Sequence, residues 1–498
     1  MDFGLGRFGD RRLEKGGAAL HAALVERPCS RIRRLAGCRA QEMRFTRFLH
    51  NPAVTAGEMV CHAVRGTAAR VAGRDIVVVQ DTSELALGGL RARANGYGPI
   101  GKGGALRGLL LHAALALEAE TGALLGLVDA QVWNRDTGAV APRRSRATAD
   151  KESQRWLDTA VRASEELAAA NSVTVVSDRE SDIYEYFARC PMNTHLISRA
   201  CQNRSIKTAL DDTGALLLPF VDGLPEAGRV SVKIPAAPGR KERVAELAVR
   251  FSPVELCKPL HGAARDLPDT ITLRLVDVRE VSTPEDGSEP VHWRLFTTHK
   301  VTSLSEACRI VSLYRMRWNI EEFFRTLKTA GFDIEDADIG DPQVMIKFVA
   351  AITVAAVTVM QLVKARDGTT DQELADAFEP GDQPILEALS SRLEGKTERQ
   401  KNPHPKGLAR LRRLGDRQTR RLDRLLRKTR SYGHAPRVGG LPADQVWHDS
   451  GAPKCVNPIA ACGEREQTLD PQKIRVSPGF CDKTSCASRL RPARACMR

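Results

Sequence analysis

Two short β-branched runs constrain this chain most. "DIVVVQDTSEL" carries Ile76 to Val79 straight on to Asp81 and Thr82, and "SVTVVSDRESDIYEYF" carries Val173 to Val176 on to Asp178. β-Branched side chains suit a pleated strand better than a helix, so each run predicts a buried strand that delivers an aspartate at its end. Between them, "LRGLLLHAALALEAETGALLGLVDAQVW" reads as two apolar strands joined by a turn at Glu120–Gly122. Three strands then form an antiparallel meander. A helix around "KESQRWLDTAVRASEELAAA" precedes the second β-branched run, another helix follows it, and "HLISRA" is a fifth strand.

The order β-β-β-α-β-α-β, with carboxylates at the ends of the first and fourth strands, is the ribonuclease-H-like arrangement, so the expected fold class is α/β with a mixed sheet. From Cys201 to Thr302 the pattern changes to alternating strands such as "RVSVKIP", "TITLRLVDV" and "VHWRLFTT", punctuated by Pro and Gly, which predicts an inserted β-rich lobe. Ser303 and Glu306 then form an S-x-x-E capping box at the start of a helix. The expected organisation is a helical N-terminal domain over 1–70, a first core part over 71–200, the lobe over 201–302, a returning core helix over 303–340, a helical region over 341–407, and a basic, disordered tail over 408–498.

Charge is distributed unevenly along the 498 residues. Residues 408–498 hold 20 Lys and Arg against 8 Asp and Glu, a net +12, and residues 1–70 hold 13 against 6, a net +7. Subtracting both from the overall +14 leaves −5 for 71–407. A basic N-terminal module before an acidic centre is expected where nucleic acid is gripped in one place and metal ions are held in another. Within that module, "CSRIRRLAGCRAQEMRFTRFLHNPAV" interleaves Arg44 and Arg47, among other arginines, with Phe45 and Phe48. It reads equally as a DNA-contacting helical unit and as an ordinary solvated helix face. The apolar run Val344 to Val363 contains Lys347 and Gln361 and reads as a buried helix rather than a membrane span. The opening "MDFGLGRFGDRRLEK" lacks an apolar signal-peptide core, so a cytoplasmic, nucleoid-associated protein is expected. Twelve cysteines without any C-x-x-C pair suit reduced thiols; His448, Cys455, Cys462, Cys481 and Cys486 lack the short paired spacings of a zinc site.

The stretch "YRMRWNIEEFFRTLK" raises the question of which of two adjacent glutamates matters. At about 100° per residue, Tyr314, Arg317, Glu321, Arg325 and Lys328 fall in a stripe of roughly 80°, with Glu322 off it. On its own this is also what an amphipathic helix laced by i,i+4 ion pairs looks like. A helix laid across the strand ends would bring Glu321 to Asp81 and Asp178. Three carboxylates around one point repel unless cations neutralise them, and hard oxygen ligands suit Mg²⁺ or Mn²⁺, two of which can act on a phosphodiester.

Asp81 in "QDTS", Asp178 in "SDRESDIYEYF" and the string Tyr314, Arg317, Glu321, Lys328 resemble the DDE transposases of bacterial insertion sequences, the Tn-five and IS-four type. The resemblance extends through "RFLHNPAV", "DKESQRW" and "RWNIEEFFRTLK" and covers most of residues 5–405. It implies that Asp81, Asp178 and Glu321 are catalytic and bind two divalent metals. It also implies that Tyr314, Arg317, Arg325 and Lys328 contact DNA phosphates and that Trp293 stacks on a base during hairpin formation. An inward-facing strand residue is the other reading of Trp293. Double-stranded DNA, at transposon ends and target, and a homodimer assembled on it are the implied partners, without a membrane.

The tail departs from the family. "LARLRRLGDRQTRRLDRLLRKTR" piles up arginines where an apolar helical dimer region is implied, which favours out-of-frame sequence over a basic nucleic-acid tail. The expected activity is metal-dependent cut-and-paste transposition. A catalytically silent DNA-binding remnant and a nuclease of similar fold without strand transfer stand beside it.

Overall fold

Four helices open the structure, a computed structural model that describes residues 4–87, 96–136, 151–208, 211–234, 242–260, 264–284, 287–329, 331–367 and 376. The chain divides into Met1–Trp447 and His448–Arg498, and every described residue belongs to the first unit. The expected tail over 408–498, its zinc-ligand candidates and most of 368–407 lie outside the described residues.

Helix α1 (Arg11–Glu26) starts where Asp10 accepts the backbone N–H of Arg12 at 2.7 Å, and α4 (Ala56–Ala68) starts where the Thr55 hydroxyl accepts that of Glu58 at 3.1 Å. Each side-chain oxygen satisfies an amide that a helix start leaves orphaned. Between them run α2 (Ile32–Leu35) and α3 (Arg39–His50). Helix α3 buries Phe45, Phe48 and Leu49 and leaves Arg44 and Arg47 exposed, as its spacing predicts. These helices do not close on themselves. Their buried residues continue into the core that also holds Val77, Val79 and Phe348.

Twelve strands among the described residues join one mixed sheet. They are β1 (Asp75–Ala86), β2 (Gly98–Ile100), β3 (Leu106–Glu118), β4 (Leu124–Trp133), β5 (Ser172–Ser177), β6 (Thr194–Arg199), β7 (Ser205–Thr208), β8 (Asp211–Leu216), β9 (Gly228–Ile234), β10 (Arg243–Cys257), β11 (Thr270–Glu280) and β12 (His292–Thr297). Strands β4, β3 and β1 are antiparallel neighbours, and β5 and β6 continue the sheet parallel to β1. Helix α5 (Gln154–Glu166) connects β4 to β5, and α6 (Tyr184–Ala188) connects β5 to β6. The expected β-β-β-α-β-α-β order is thus present, with the short β2 added. The β-rich segment does not form a sheet of its own: β12 pairs antiparallel with β6, so strands β7 to β12 extend the first sheet, with α7 (Leu217–Asp222) on the way.

Alternation along β1 builds two cores. Val77 and Val79 point into one, shared with the helices after the lobe, and Ile76 and Val78 point into the other, shared with Trp156, Tyr186 and Phe187. Helix α8 (Leu304–Arg315) begins with the complete capping box of Ser303 and Glu306. The helix expected to run on through the motif is interrupted: Met316 and Arg317 form a turn, and α9 (Trp318–Lys328) begins afresh. Helix α10 (Pro342–Asp367) is long and apolar enough to cross a membrane by length and composition, but 67% of its most apolar window is buried. It packs against α1, α4, α9 and β4.

Gly108 of β3 lies against β1 where that strand approaches its end. A Cβ there would collide with the Leu85 carbonyl oxygen and the Ile100 side chain. Gly108→Ala is expected to cost about 1–3 kcal/mol through overpacking, measured as a fall in urea midpoint at constant slope. An unchanged midpoint would show that the two strands can separate freely.

Candidate active site

Asp81 does not end its strand. It sits inside β1, whose pairing with β3 continues to Ala86, whereas pairing with the parallel neighbour β5 stops at Val79–Val176. Two residues further, β5 turns away through Asp178, which caps a short 3₁₀ turn over Arg179–Ser181. Both aspartates thus come to the cleft that opens where β5 leaves β1. Asp81 shares the face of Val77 and Val79, the face covered by α8 and α9.

The break between those helices puts Arg317 into this cleft. Its Nη1 stands 3.7 Å from Asp81 Oδ2 and 4.0 Å from Asp178 Oδ2, and its Nη2 donates to Glu321 Oε1 at 2.6 Å. All three carboxylates expected to act together therefore face one guanidinium. Glu322 points elsewhere, to Lys364 of α10 at 3.8 Å. Lys364 is buried and also donates to Asn319 Oδ1 at 2.7 Å, so Glu322 belongs to the α9–α10 contact.

Arg317 and Tyr314 are buried, at 8% and 3% exposure, so the predicted polar stripe is a wet helix face only at Glu321 and Arg325. Burial works against the charge of Arg317, but the oxygens of Tyr314, Glu321, Asp178 and Asp81 together hold it above its ordinary range. Its Nε is buried without a hydrogen-bond partner. The Tyr314 ring lies 5.8 Å from the guanidinium, and its hydroxyl approaches Asp178 Oδ1 at 3.4 Å. Burial pushes the Asp81 carboxyl up to about 6; the Thr82 N–H, donating at 2.7 Å, and Arg317 oppose this, whereas Asp178 and Glu180 add to it. An acid crowded by acids and held by a buried cation has the electrostatic character of a functional site.

Among the described residues, no three His, Cys, Asp or Glu side chains form a group close enough to hold a metal ion. The donor chemistry nevertheless fits a hard divalent cation, since the three groups offer oxygens only and already converge on positive charge. Binding there requires the guanidinium to give way.

The remaining expected residues spread outward from this centre. Lys328 donates to the Glu84 carbonyl at 2.6 Å and pairs with Glu335 at 3.4 Å, tying α9 to β1 three residues beyond Asp81. Arg325 is exposed on α9. Trp293 is 8% exposed and packs edge-on against Tyr314 at 5.5 Å and Trp318 at 6.2 Å, which makes it an inward-facing residue that adjoins the site. Arg44 and Arg47 lie on α3 and belong to no contact with the three carboxylates. Sequence reasoning missed Arg199, 4.0 Å from Asp178 Oδ1 on the neighbouring β6, and Arg155, which donates to Thr82 at 2.8 Å. Arg199 carries no local signal beyond its place at a strand end. Arg155 lies in the "KESQRW" string, between carboxylate and tryptophan, and that flanking was its signal. No protein-family model matches the chain.

Proposed function

We propose that the chain is a DDE-type DNA transposase whose core is ribonuclease-H-like. The observation that carries this reading is the convergence of Asp81, Asp178 and Glu321 on Arg317 where β5 diverges from β1. The strand order β4-β3-β1-β5-β6, three antiparallel and two parallel, supports the core assignment. The resemblance of the surrounding motifs supplies the reaction class.

Asp81, Asp178 and Glu321 would hold two Mg²⁺ or Mn²⁺ ions. Such ions, when bound, activate the attacking oxygen and stabilise the leaving oxygen of a phosphodiester. The chain's own part is to draw in and orient the DNA. Arg317, released from the carboxylates, is matched to a phosphate by its planar pair of N–H donors. Arg325 and Lys328 extend the positive charge along α9, and Arg44 and Arg47 offer exposed cations on α3 for the DNA beyond the cut. Trp293, packed edge-on against Tyr314 and Trp318 beside the site, would offer an unstacked base a stacking surface once its ring is uncovered. Nicking, attack of the freed 3′-hydroxyl on the opposite strand to form a hairpin, and joining to target DNA then follow at one site.

The test is incubation of the full chain with a supercoiled plasmid carrying the DNA that flanks its gene, in Mg²⁺ and in Mn²⁺. Position-specific nicks at the element ends followed by strand-transfer products are expected. Nicks without joined products would make the protein a nuclease. Specific binding without nicks in either metal would make it a silent end-binding remnant. Trp293→Ala is expected to spare the first nick and slow hairpin formation by roughly 5- to 150-fold, the equivalent of about 1–3 kcal/mol of base stacking. Loss of both steps in proportion to lost folded protein would assign Trp293 to the core alone.

A further inference from the structure

On the sheet face opposite Arg317, two runs of hydrogen bonds stand behind the two aspartate-bearing segments. Arg155 Nε donates to Thr82 Oγ1 at 2.8 Å, and Thr82 Oγ1 lies 2.9 Å from His112 Nδ1. His112 Nε2 lies 3.1 Å from Gln80 Oε1, and Gln80 Nε2 donates to the Tyr186 hydroxyl at 3.0 Å. On the Asp178 side, Ser177 Oγ is 2.5 Å from Ser181 Oγ, and Ser181 Oγ donates to the Asp178 carbonyl at 2.8 Å. The first run begins beside Asp81, and the second ends on the backbone of Asp178.

The direction of the first run is set from the Gln80 end. Gln80 Nε2 donates to Tyr186, so its Oε1 accepts from His112 Nε2–H, which leaves Nδ1 to accept the proton of Thr82, itself an acceptor from Arg155. His112 is then neutral with its proton on Nε2, donating to Gln80. Burial first and the nearby Arg155 second hold this imidazole well below its ordinary pKa, in keeping with that state. Gln80, His112, Ser177 and Ser181 are all fully buried. Hydrogen bonds that run in one sense through a dry interior strengthen one another, and a missing member leaves a buried group unsatisfied.

Arg155 also bridges the two segments directly. Its Nη2 donates to Glu180 Oε2 at 2.8 Å, two residues after Asp178, while Nε holds Thr82, one residue after Asp81. The side chain is itself fixed, with Nη1 donating to the Glu152 carbonyl at 2.6 Å and the guanidinium 5.7 Å and 5.3 Å from the rings of Trp133 and Trp156. Nothing in the reaction scheme uses these residues.

We propose that Arg155 is a positioning residue, which through Thr82 and Glu180 sets the separation of Asp81 and Asp178 from behind the sheet. The inference rests on the reading of those aspartates as divalent-metal ligands. Groups that orient metal ligands from behind are worth 10–100-fold in metal affinity when removed.

The test is Mn²⁺ binding to the full-length protein, followed by the loss of the free-ion electron paramagnetic resonance signal, with far-UV circular dichroism and thermal melting on the same samples. Arg155→Met should raise the half-saturating Mn²⁺ concentration about tenfold. Thr82→Val, which keeps the side-chain shape and the Arg155–Glu180 pair, should raise it by a smaller factor, and Thr82→Ser should restore it. A merely structural Arg155 would lower the melting temperature and leave half-saturation where it was. That result, in Arg155→Met or in folded Thr82→Val, overturns the proposal. The Asp81→Asn, Glu321→Gln double variant separates the two levels. If it binds Mn²⁺ as the wild type does, the metal-ligand reading falls and the positioning role with it. If it loses Mn²⁺ while Arg155→Met and Thr82→Val keep wild-type half-saturation, only the positioning role falls.

Discussion

Glu321→Ala is expected to cut metal-dependent nicking steeply and leave the fold intact, whereas Glu322→Ala is expected to leave nicking in place and destabilise the protein. The two side chains are neighbours in sequence and identical in chemistry, so this pair isolates position. Glu321 is half-exposed, at 51% for its side chain, and its contact is Arg317 in the cleft of the aspartates. Removing it withdraws one of three carboxylates from the charge that the site must neutralise. If each ligand supplies several kcal/mol of transition-state stabilisation, the rate falls by on the order of 10² to 10⁴. DNA binding should change little, because a carboxylate contributes nothing attractive to phosphate. Glu322 instead faces Lys364, whose side chain is only 8% exposed, at 3.8 Å. Truncating Glu322 leaves that buried ammonium with Asn319 as its remaining partner, a cost of about 1–3 kcal/mol given that the pair is long and partly wet. Nicking rate per folded molecule and urea midpoint, measured on both variants, give the comparison. Equal loss of rate in both, or an undiminished rate in Glu321→Ala, sinks the assignment of the site.

Local signals carried the reading as far as the strands and which of the two glutamates meets Arg317. The β-branched runs at Ile76 and Val173 and the capping box at Ser303 are each satisfied within a few residues, and each element forms where expected. What the sequence did not reveal depends on partners distant in the chain. Asp81 was expected at a strand end because the apolar run stops before it. It lies mid-strand because β3 goes on pairing beyond it, and only the parallel partner ends there. The break at Met316–Arg317 is also invisible locally, since both residues keep right-handed helical backbone angles and neither is Gly or Pro. A continuous helix in the sequence reading thus becomes a turn that delivers Arg317 to three carboxylates. The lobe looked separate because its alternation differs from that of the core, yet the pairing of β12 with β6 merges them, and sequence periodicity contains no information on which edge a strand joins. Arg155 went unread for a related reason: its partners Thr82 and Glu180 are 73 and 25 residues away.

Asp81→Asn is expected to make the protein more stable above pH 6 while removing its nicking activity. Burial is the first cause of the raised carboxyl pKa, about 6 in the fold against an ordinary 3.8, and Asp178 and Glu180 add to it. The sign follows from proton uptake. Between roughly pH 4 and 6 the folded protein holds this proton more tightly than the unfolded chain, so folding is disfavoured progressively as pH rises through that window. Above it the whole cost is present, at most about 3 kcal/mol from the two-unit difference. Asparagine keeps an oxygen for the Thr82 N–H, does not ionise, and leaves Arg317 with Asp178 and Glu321. Buried histidines act in the opposite sense: burial pushes His299 down to about 3 and His21 down to about 4, and their contribution to stability is lost as pH falls from about 6.5 toward those values. The wild-type curve therefore mixes both effects. The difference between variant and wild type at each pH cancels the histidines, which are common to both. Urea unfolding at pH 3.5 and pH 8 should show near-equal stabilities at the lower value and a variant more stable by about 1–3 kcal/mol at the higher. A gap that does not grow with pH, or a variant less stable at pH 8, would mean that Arg317 already compensates the ionised Asp81 in full. The expected gain marks the site as one kept at a cost in stability, as groups assembled for chemistry rather than for packing tend to be.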